Sequence, residues 1–167
     1  AIDALSTDKL VDCINLANKA LKMDFGIKDP RIAVAGLNPH AGENGHLGRE
    51  EIEIITPAID KLKLAHINVK GPFPADSLFR KESRENYDLI ICMYHDQALI
   101  PSKLLDFRCG VNVTLGLPII RTSPDHGTAF DIAGNGKADP RSLIEAIKFA
   151  GKLAENRKKS SNGVFLA

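Results

Sequence analysis

Two short apolar runs, each followed by a polar loop, constrain this chain more than any other feature. Residues 31–36 read RIAVAG and residues 88–94 read DLIICMY. Runs this brief and this continuously apolar are typical of strands that are covered on both faces in a parallel sheet. Because ligands gather beyond the carboxyl ends of such strands, the loops after these two runs are the first candidates for a site.

Helical patterns alternate with the strands. Cap-type residues at 6–8 precede apolar spacing that predicts a helix to about residue 24, and a second pattern covers residues 50–63, with Pro57 at a bend or boundary. Asp139 is a natural N-cap and Pro140 suits the first helical position, so a closing helix begins there. The expected buried stripe of the closing helix is Leu143, Ile147, Ala150 and Leu153.

The remaining strands are shorter. We expect one at residues 67–69, followed by a rigid loop over 71–74, and two more at 111–115 and 119–121 that form a hairpin or a bent pair. The alternation of strands and helices predicts an α/β layered fold with a mainly parallel sheet. The basic residues 157–159 are expected at a solvated helix end, and residues 158–167 are expected to form a polar tail.

Composition narrows the class of protein. The 167 residues are a one-domain length, and 22 Lys and Arg against 21 Asp and Glu give a net charge of +1. This balance argues against a nucleic-acid or membrane-surface partner, and no apolar run is long enough to span a membrane. The absence of an initial Met, within an apolar-periodic stretch, indicates a piece cut from a longer chain.

The three cysteines, Cys13, Cys92 and Cys109, are an odd number without CxxC spacing. They lie in apolar stretches, which predicts reduced core thiols rather than a disulfide framework. A cytoplasmic location is expected on that ground.

Histidines occupy both loops that follow the apolar runs. Residues 38–46 contain His40 and His46 with Glu43, and His95 with Asp96 follows the second run. Neutral imidazole is a good ligand for zinc-like metals, and a neighbouring carboxylate orients it. The alternative is a set of ordinary polar loop residues, since no HxxxH or HExxH spacing is present.

Two further groups could bind anions or nucleotides. Lys103, Asn112 and Arg121 interrupt apolar segments and could together bind phosphate or carboxylate, although each alone is equally well explained as a snorkelling side chain. The loop over residues 126–134 could bind an adenosine, but it lacks GxGxxG and its composition favours a simple turn.

Several motifs together point to one family. Residues 37–43 (LNPHAGE), 71–76 (GPFPAD), 93–97 (MYHDQ) and 110–118 (GVNVTLGLP) closely resemble the 4-hydroxythreonine-4-phosphate dehydrogenase family of vitamin B6 synthesis, over about residues 1–155. The 126–134 loop is similar to the adenosine-binding loop of isopropylmalate and isocitrate dehydrogenases. The resemblance implies an isocitrate/isopropylmalate dehydrogenase-like layered fold, with residues 1–157 as the C-terminal part of the family's chain.

The resemblance also implies an activity: NAD(P)-dependent oxidation of 4-phosphooxy-L-threonine to a 3-keto acid that decarboxylates to 3-amino-2-oxopropyl phosphate. It implies a divalent metal (zinc, magnesium or cobalt) and a homodimer with a shared active site. The implied metal ligands are His40 and His95. The implied substrate contacts are Lys103, Asn112 and Arg121, with Asp76 near the site. The implied cofactor-binding residues are Gly127, Thr128, Asp131 and Ala133.

One departure from the family pattern affects function. The family's third metal histidine and a His-Thr substrate pair correspond to positions before Ala1, so we expect the full-length parent to be active and this piece to be inactive alone.

A paralogous dehydrogenase of 4-phosphoerythronate or 4-phosphothreonate remains an alternative, because cations at 103 and 121 recognise phosphate and not an amino group. A non-catalytic dimerisation or nucleotide-binding module is the alternative from another class.

Overall fold

A computed structural model describes residues 4–106 and 108–163. The helices are α1 (Thr7–Met23), α2 (Thr56–Leu64), α3 (Ala75–Leu78), α4 (Lys81–Arg84), α5 (His95–Leu105) and α6 (Arg141–Gly163). The strands are β1 (Ile32–Ala35), β2 (Val69–Phe73), β3 (Leu89–Ile91), β4 (Val111–Thr114) and β5 (Arg121–Pro124). Within the described ranges, no helix is long and apolar enough to cross a membrane.

The chain forms two compact units, although its length suggested one domain. Unit 1 comprises Ala1–Lys22 and Ile27–Pro101, and unit 2 comprises Met23–Gly26 and Ser102–Ala167. The division falls inside α5, which contains Pro101. Each unit has its own sheet, so each is described by itself.

The sheet of unit 1 is parallel, as the apolar runs predicted. Its strand order is β2-β1-β3, so β1 lies in the middle, and all four β1 residues are buried. Ile32 is in register with Val69 on one side and with Leu89 on the other. The expected strand over 88–94 is confirmed only as the shorter β3, whose first two residues are half-buried.

The second strand lies later in the chain than expected. Residues 71–73, predicted as part of a rigid loop, belong to β2 and pair with β1 through Phe73 and Ala35. A Cβ on Gly71 would lie 2.4 Å from the carbonyl oxygen of Val34. Only glycine allows the backbones to approach this closely, and the sequence pattern alone does not reveal this contact.

The two longer helical segments at the start of unit 1 each bury an apolar face. In α1 the buried residues are Leu10, Ile14, Ala17, Ala20 and Leu21, which confirms the predicted first helix. The second helical segment begins with a π-helical turn, Glu51–Ile55, and continues as α2. Pro57 lies in the first turn of α2, where a missing N–H costs little, so its predicted place at a boundary is confirmed.

Unit 2 is built from an antiparallel hairpin and α6. Strands β4 and β5 pair from Val111 with Pro124 to Thr114 with Arg121. The predicted hairpin is therefore confirmed, but its second strand covers residues 121–124 rather than 119–121. The shift leaves Ile119 exposed in the turn between the strands.

The buried face of α6 differs from the predicted stripe. Leu153 is buried, but Leu143 and Ile147 are 50% and 64% exposed, and Ala150 is half-buried. The helix buries Ser142 and Ala146 instead. The Ser142 hydroxyl donates to the Gly110 carbonyl at 2.8 Å, and the Thr122 hydroxyl donates to the Ala146 carbonyl at 2.8 Å. Small residues permit this close approach, and bulky ones would prevent it.

The basic end of α6 is only partly solvated. Arg157 binds the buried Asp24 carboxylate through two hydrogen bonds, Nε to Oδ1 at 2.6 Å and Nη2 to Oδ2 at 2.7 Å, so its predicted role as a solvated helix end is wrong. The helix continues through residues 158–163, which were expected in a polar tail. Residues 164–167 of that tail lie outside the described residues.

The three cysteines are free thiols, as predicted, but they are not all in the core. Cys13 and Cys109 are exposed, which corrects the expectation for these two. Cys92 is half-buried, and burial raises the pKa of its thiol to about 11. The thiol of Cys92 is therefore protonated at neutral pH.

The start of α6 confirms its predicted cap. The Asp139 carboxylate accepts a hydrogen bond from the backbone N–H of Arg141 at 3.1 Å, and the Pro140 carbonyl accepts the N–H of Ile144. The Arg141 guanidinium also binds this carboxylate and is the main reason that the pKa of Asp139 falls from 3.8 to about 2. The backbone N–H of Arg141 lowers the pKa further, and Arg108 contributes least.

The first prediction concerns Arg157. Replacing it with Leu leaves the buried Asp24 carboxylate without its cation, and we expect the free energy of unfolding to fall by about 3 kcal/mol, measured by urea denaturation. The control is Arg49→Leu, which removes the exposed pair with Glu53 and should cost at most about 0.5 kcal/mol. Equal losses for the two variants contradict the assignment of Asp24 and Arg157 as a buried pair.

The second prediction concerns pH. Because the folded-state pKa of Asp139 lies below its ordinary value, the stabilisation from this carboxylate is complete above about pH 4 and is lost as the pH falls toward 2. Arg141→Ala should move the carboxyl titration midpoint, followed by ¹³C NMR, upward toward 3.8. Arg108→Ala should move it far less, and the reverse order would refute the assignment.

Candidate active site

Three of the predicted site residues follow strand ends at the same edge of the parallel sheet. His40 follows the carboxyl end of β1, Asp76 lies in α3 just after β2, and His95 opens α5 after β3. Parallel strands end at one edge, so all three residues follow carboxyl ends there. The two histidine loops predicted from the sequence are therefore neighbours in unit 1.

The His40 loop has an unusual backbone. Five consecutive residues, 40–44, have φ between 42° and 81°, and four of them are not glycine. Left-handed backbone is uncommon for residues with a Cβ and persists only where surrounding contacts hold it. Gly42 lies at the centre of this left-handed turn and is buried.

The buried carboxylate of Glu51 anchors the segment that leads into the left-handed turn. Glu51 is 4% exposed, and its two oxygens accept hydrogen bonds from the backbone N–H of Asn38 at 2.8 Å and from the Asn38 amide at 2.9 Å. Glu50 accepts a further bond from that amide at 2.6 Å, which is the main reason that its pKa lies below the ordinary value. The turn is thus anchored at Asn38, two residues before His40.

His95 is oriented by its neighbour. Its Nδ1 lies 2.7 Å from Oδ1 of Asp96, and both side chains are largely exposed. A carboxylate at Nδ1 favours the tautomer with the proton on that nitrogen, which makes Nε2 the ligating atom. An imidazole oriented in this way is suited to bind a divalent metal, and the metal site at His40 and His95 stays a prediction.

Two imidazoles alone do not complete a metal site. Across residues 4–106 and 108–163, the structure contains no group of three or more His, Cys, Asp or Glu side chains arranged to hold a metal ion. His46 and Glu43, the other candidates in the loop, are exposed. Further ligands are needed for a metal at His40 and His95.

Gln97 is a buried polar residue whose role could not be predicted from its position in the sequence. It is 8% exposed; its Oε1 accepts the Met93 backbone N–H at 2.7 Å, and its Nε2 donates to the Gly36 carbonyl at 2.7 Å. Gly36 directly follows β1, and Met93 follows β3. The only sequence signal was its position in the motif, two residues after His95.

The predicted substrate-binding residues lie in unit 2. Asn112 pairs with Ser123, and Thr114 pairs with Arg121. Asn112 and Arg121 therefore share one face of the hairpin, because alternate residues of a strand point the same way. The Arg121 guanidinium donates to the Thr114 hydroxyl at 2.8 Å. Lys103 donates to the Asp125 carbonyl at 3.0 Å, and its ammonium lies 3.5 Å from the carboxylate of the same residue.

The predicted cofactor loop is also in unit 2 and is exposed. A short 3-10 turn, Phe130–Ile132, begins after the left-handed Ala129; Gly127 and Thr128 precede this turn, Asp131 lies within it and Ala133 follows it. Among the described atoms, none lies within 4 Å of a Cβ built on Gly127, and its φ is not left-handed. The fold of this chain therefore does not require glycine there, and the nucleotide contact stays a prediction.

The sequence of this chain is similar to one family of known proteins. Residues 1–150 match the family described as Pyridoxal phosphate biosynthetic protein PdxA. The chain is 59% identical over 157 residues to 4-hydroxythreonine-4-phosphate dehydrogenase of Caulobacter vibrioides, covering 94% of this chain and 47% of that protein. It is 60% identical over 145 residues to the enzyme of the same name from Roseobacter denitrificans, covering 87% and 44%.

Solved structures show the same fold. The crystal structure of 4-hydroxythreonine-4-phosphate dehydrogenase from Klebsiella pneumoniae matches with a TM-score of 0.81 and 48% identity over 92% of this chain and 46% of that one. A terephthalate 1,2-cis-dihydrodiol dehydrogenase from Burkholderia xenovorans matches with a TM-score of 0.69 and 36% identity, covering 89% and 47%.

These matches are to proteins named as dehydrogenases, and the solved ones share the α/β fold of this chain. Within this class, the chain belongs to the PdxA family, which confirms the resemblance seen in its motifs. The chain spans about half the length of the curated relatives it matches. The finer isocitrate dehydrogenase-like layering stays a prediction.

The third prediction tests the left-handed turn. Gly42 has φ +81°, and a Cβ there would lie 2.6 Å from Oε2 of Glu51. Gly42→Ala should therefore lower the free energy of unfolding by about 1–3 kcal/mol, measured by urea denaturation. Gly151→Ala is the control, because open space surrounds that position within α6 and alanine there should stabilise by about 0.5–1 kcal/mol. A neutral Gly42→Ala would show that the turn is unconstrained.

Proposed function

We propose that the whole protein oxidises 4-phosphooxy-L-threonine (4-hydroxythreonine 4-phosphate) with NAD or NADP, in pyridoxine 5′-phosphate biosynthesis. The product is a 3-keto acid that decarboxylates to 3-amino-2-oxopropyl phosphate. The observation that carries this proposal is the placement of His40 and His95 beyond adjacent parallel strands, in a chain 59% identical to a 4-hydroxythreonine-4-phosphate dehydrogenase.

His40 and His95 are the proposed metal ligands. A divalent ion such as zinc, magnesium or cobalt would, when bound, polarise the reacting oxygen as a Lewis acid. Asp96 fixes the His95 ring, and Glu51 with Asn38 fixes the loop that carries His40. Because these two imidazoles leave positions for other ligands, we propose that another part of the whole protein and a second copy in a homodimer complete the site.

The cations of unit 2 are the proposed substrate contacts. Arg121 and Lys103 can hold the phosphate or carboxylate of the substrate by charge-assisted hydrogen bonds, and Asn112 adds an amide on the same hairpin face as Arg121. Asp76 is the proposed polar residue near the site at the sheet edge of unit 1. The substrate class is a small phosphorylated hydroxy-amino acid.

The exposed loop of unit 2 is the proposed nucleotide contact. Gly127 offers a backbone without a Cβ, Thr128 and Asp131 offer a hydroxyl and a carboxylate, and Ala133 follows the 3-10 turn. NAD or NADP accepts hydride, while the protein supplies position and charge.

A related substrate is the second candidate. The relative at 36% identity is named for a different substrate, so the fold does not by itself select one. Arg121 and Lys103 recognise an anion and do not distinguish an amino group from a hydroxyl. A dehydrogenase of 4-phosphoerythronate or 4-phosphothreonate therefore remains the alternative to test.

The fourth prediction is the activity itself. With a divalent metal and NAD or NADP, the whole protein should reduce the nucleotide in the presence of 4-phosphooxy-L-threonine, measured by absorbance, and the 167-residue chain alone should not. His40→Ala and His95→Ala should each lower kcat/KM by about 100-fold or more, since a Lewis acid supplies several kcal/mol to the transition state. The control is His66→Ala, which like His40→Ala places alanine at a positive φ but lies just before β2 begins.

The outcomes separate the alternatives. Full turnover by both site-histidine variants removes the metal assignment. Faster turnover of 4-phosphoerythronate or 4-phosphothreonate than of 4-phosphooxy-L-threonine identifies the paralogous activity. Absence of nucleotide reduction with all three substrates favours the non-catalytic module.

A further inference from the structure

Gln97 connects the two segments that carry the histidines. Its amide donates to the carbonyl of Gly36, which precedes the left-handed turn that contains His40. The same amide accepts the N–H of Met93, which precedes α5 and His95. Both hydrogen bonds are 2.7 Å long, and the side chain is buried. A single buried side chain thus bridges the carboxyl ends of β1 and β3.

The chemistry of the two partners dictates that this residue be a primary amide. A backbone N–H only donates and a backbone carbonyl only accepts, so the bridging group must present an acceptor and a donor at once. Glutamine does so in one orientation, and the partners fix that orientation. A carboxylate would face the Gly36 carbonyl with an acceptor, and an apolar side chain would leave both backbone groups without a partner from residue 97.

The position of the bridge argues for more than general stability. At their amino ends, β1 and β3 are already joined by the Arg31 guanidinium on the Asp88 carboxylate, at 3.0 Å for each of two hydrogen bonds. Gln97 makes the corresponding side-chain connection at the carboxyl ends, within two residues of His95. Metal affinity depends steeply on how ligands are oriented by the contacts behind them.

We propose that Gln97 is a positioning residue that sets the relative placement of His40 and His95 for metal binding. The inference rests on the proposed metal site. Gln97 acts through the backbone at Gly36 and Met93 and does not itself touch the metal or the substrate.

The fifth prediction uses the whole protein with Co²⁺ as the probe. Gln97→Met keeps the length of the side chain but removes both hydrogen bonds, and it should weaken Co²⁺ binding roughly 10-fold or more and alter the visible absorption spectrum of the bound ion. The Met93 amide should also exchange its hydrogen faster. If Gln97→Met does not fold, Gln97→Asn replaces it, because this variant keeps the amide but is one methylene shorter. It can form only one of the two hydrogen bonds, so it should give an intermediate loss of Co²⁺ affinity.

A control removes the two hydrogen bonds of another side-chain amide, at an exposed position. Asn86→Leu abolishes the bonds from the Asn86 amide to the Glu82 carbonyl, at 2.7 Å, and to the Ser83 carbonyl, at 3.3 Å, before β3 begins. This variant should leave Co²⁺ affinity and spectrum unchanged, because a loss of stability alone does not reorient the histidines. Each variant is compared as folded protein, verified by circular dichroism.

The two hypotheses fail differently. If His40→Ala and His95→Ala abolish Co²⁺ binding while a folded Gln97 variant keeps the wild-type affinity and spectrum, the positioning role is overturned. If the histidine variants themselves keep full Co²⁺ affinity, the proposed metal site fails, and Gln97 is then judged on amide exchange. Unchanged exchange at Met93 overturns the bridge between the two strands, and faster exchange supports it.

Discussion

The parallel pairing of β2 and β3 on either side of β1 is the constraint on which unit 1 depends. All four residues of β1 are buried, and Ile32 is in register with both neighbours. With β1 fixed between two partners, the three carboxyl ends are held at one edge, and the polar residues that follow them emerge together. The close passage of Gly71 past the Val34 carbonyl is part of the same constraint, because a side chain there would separate β2 from β1.

Polar contacts at the two ends of the strands have different consequences. At the amino ends, the Arg31 guanidinium lowers the pKa of Asp88 chiefly through its hydrogen bonds. This ion pair is accessible to solvent, and such pairs contribute little to stability. At the carboxyl ends, Glu51 and Gln97 are buried and form hydrogen bonds with the backbone groups of Asn38, Met93 and Gly36. Loss of a buried hydrogen-bonding partner is costly, so the backbone is more tightly specified at the edge where the histidines lie.

The sequence predicted those elements whose determinants are local. The cap at Asp139, the boundary at Pro57 and the buried run of β1 all follow from neighbouring residues, and the structure confirms each. The face of α6 could not be predicted this way. Because Leu143 and Ile147 are large and apolar, they were predicted to be buried. The helix buries Ser142 and Ala146 instead, because the hairpin approaches too closely for bulky side chains.

Long-range pairs explain the remaining differences from prediction. Arg157 binds Asp24 across 133 positions of sequence, and Gln97 reaches Gly36 across 61, so neither contact has a periodic signal. The left-handed backbone of residues 40–44 is equally hidden, since four of its five residues prefer other conformations. The candidate site was therefore recognisable by its residue types, but the contacts that orient it were not.

Each candidate cation of unit 2 has a hydrogen-bond partner within that unit. Arg121 donates to Thr114 on the paired strand, and Lys103 donates to the carbonyl of Asp125, which follows β5. His40 and His95 are placed by the sheet edge of unit 1 and by its buried Glu51 and Gln97. Under the proposed function, a substitution at Arg121 therefore changes the recognition of the substrate's anionic group without removing any hydrogen bond that Glu51 or Gln97 makes to the segments carrying the imidazoles.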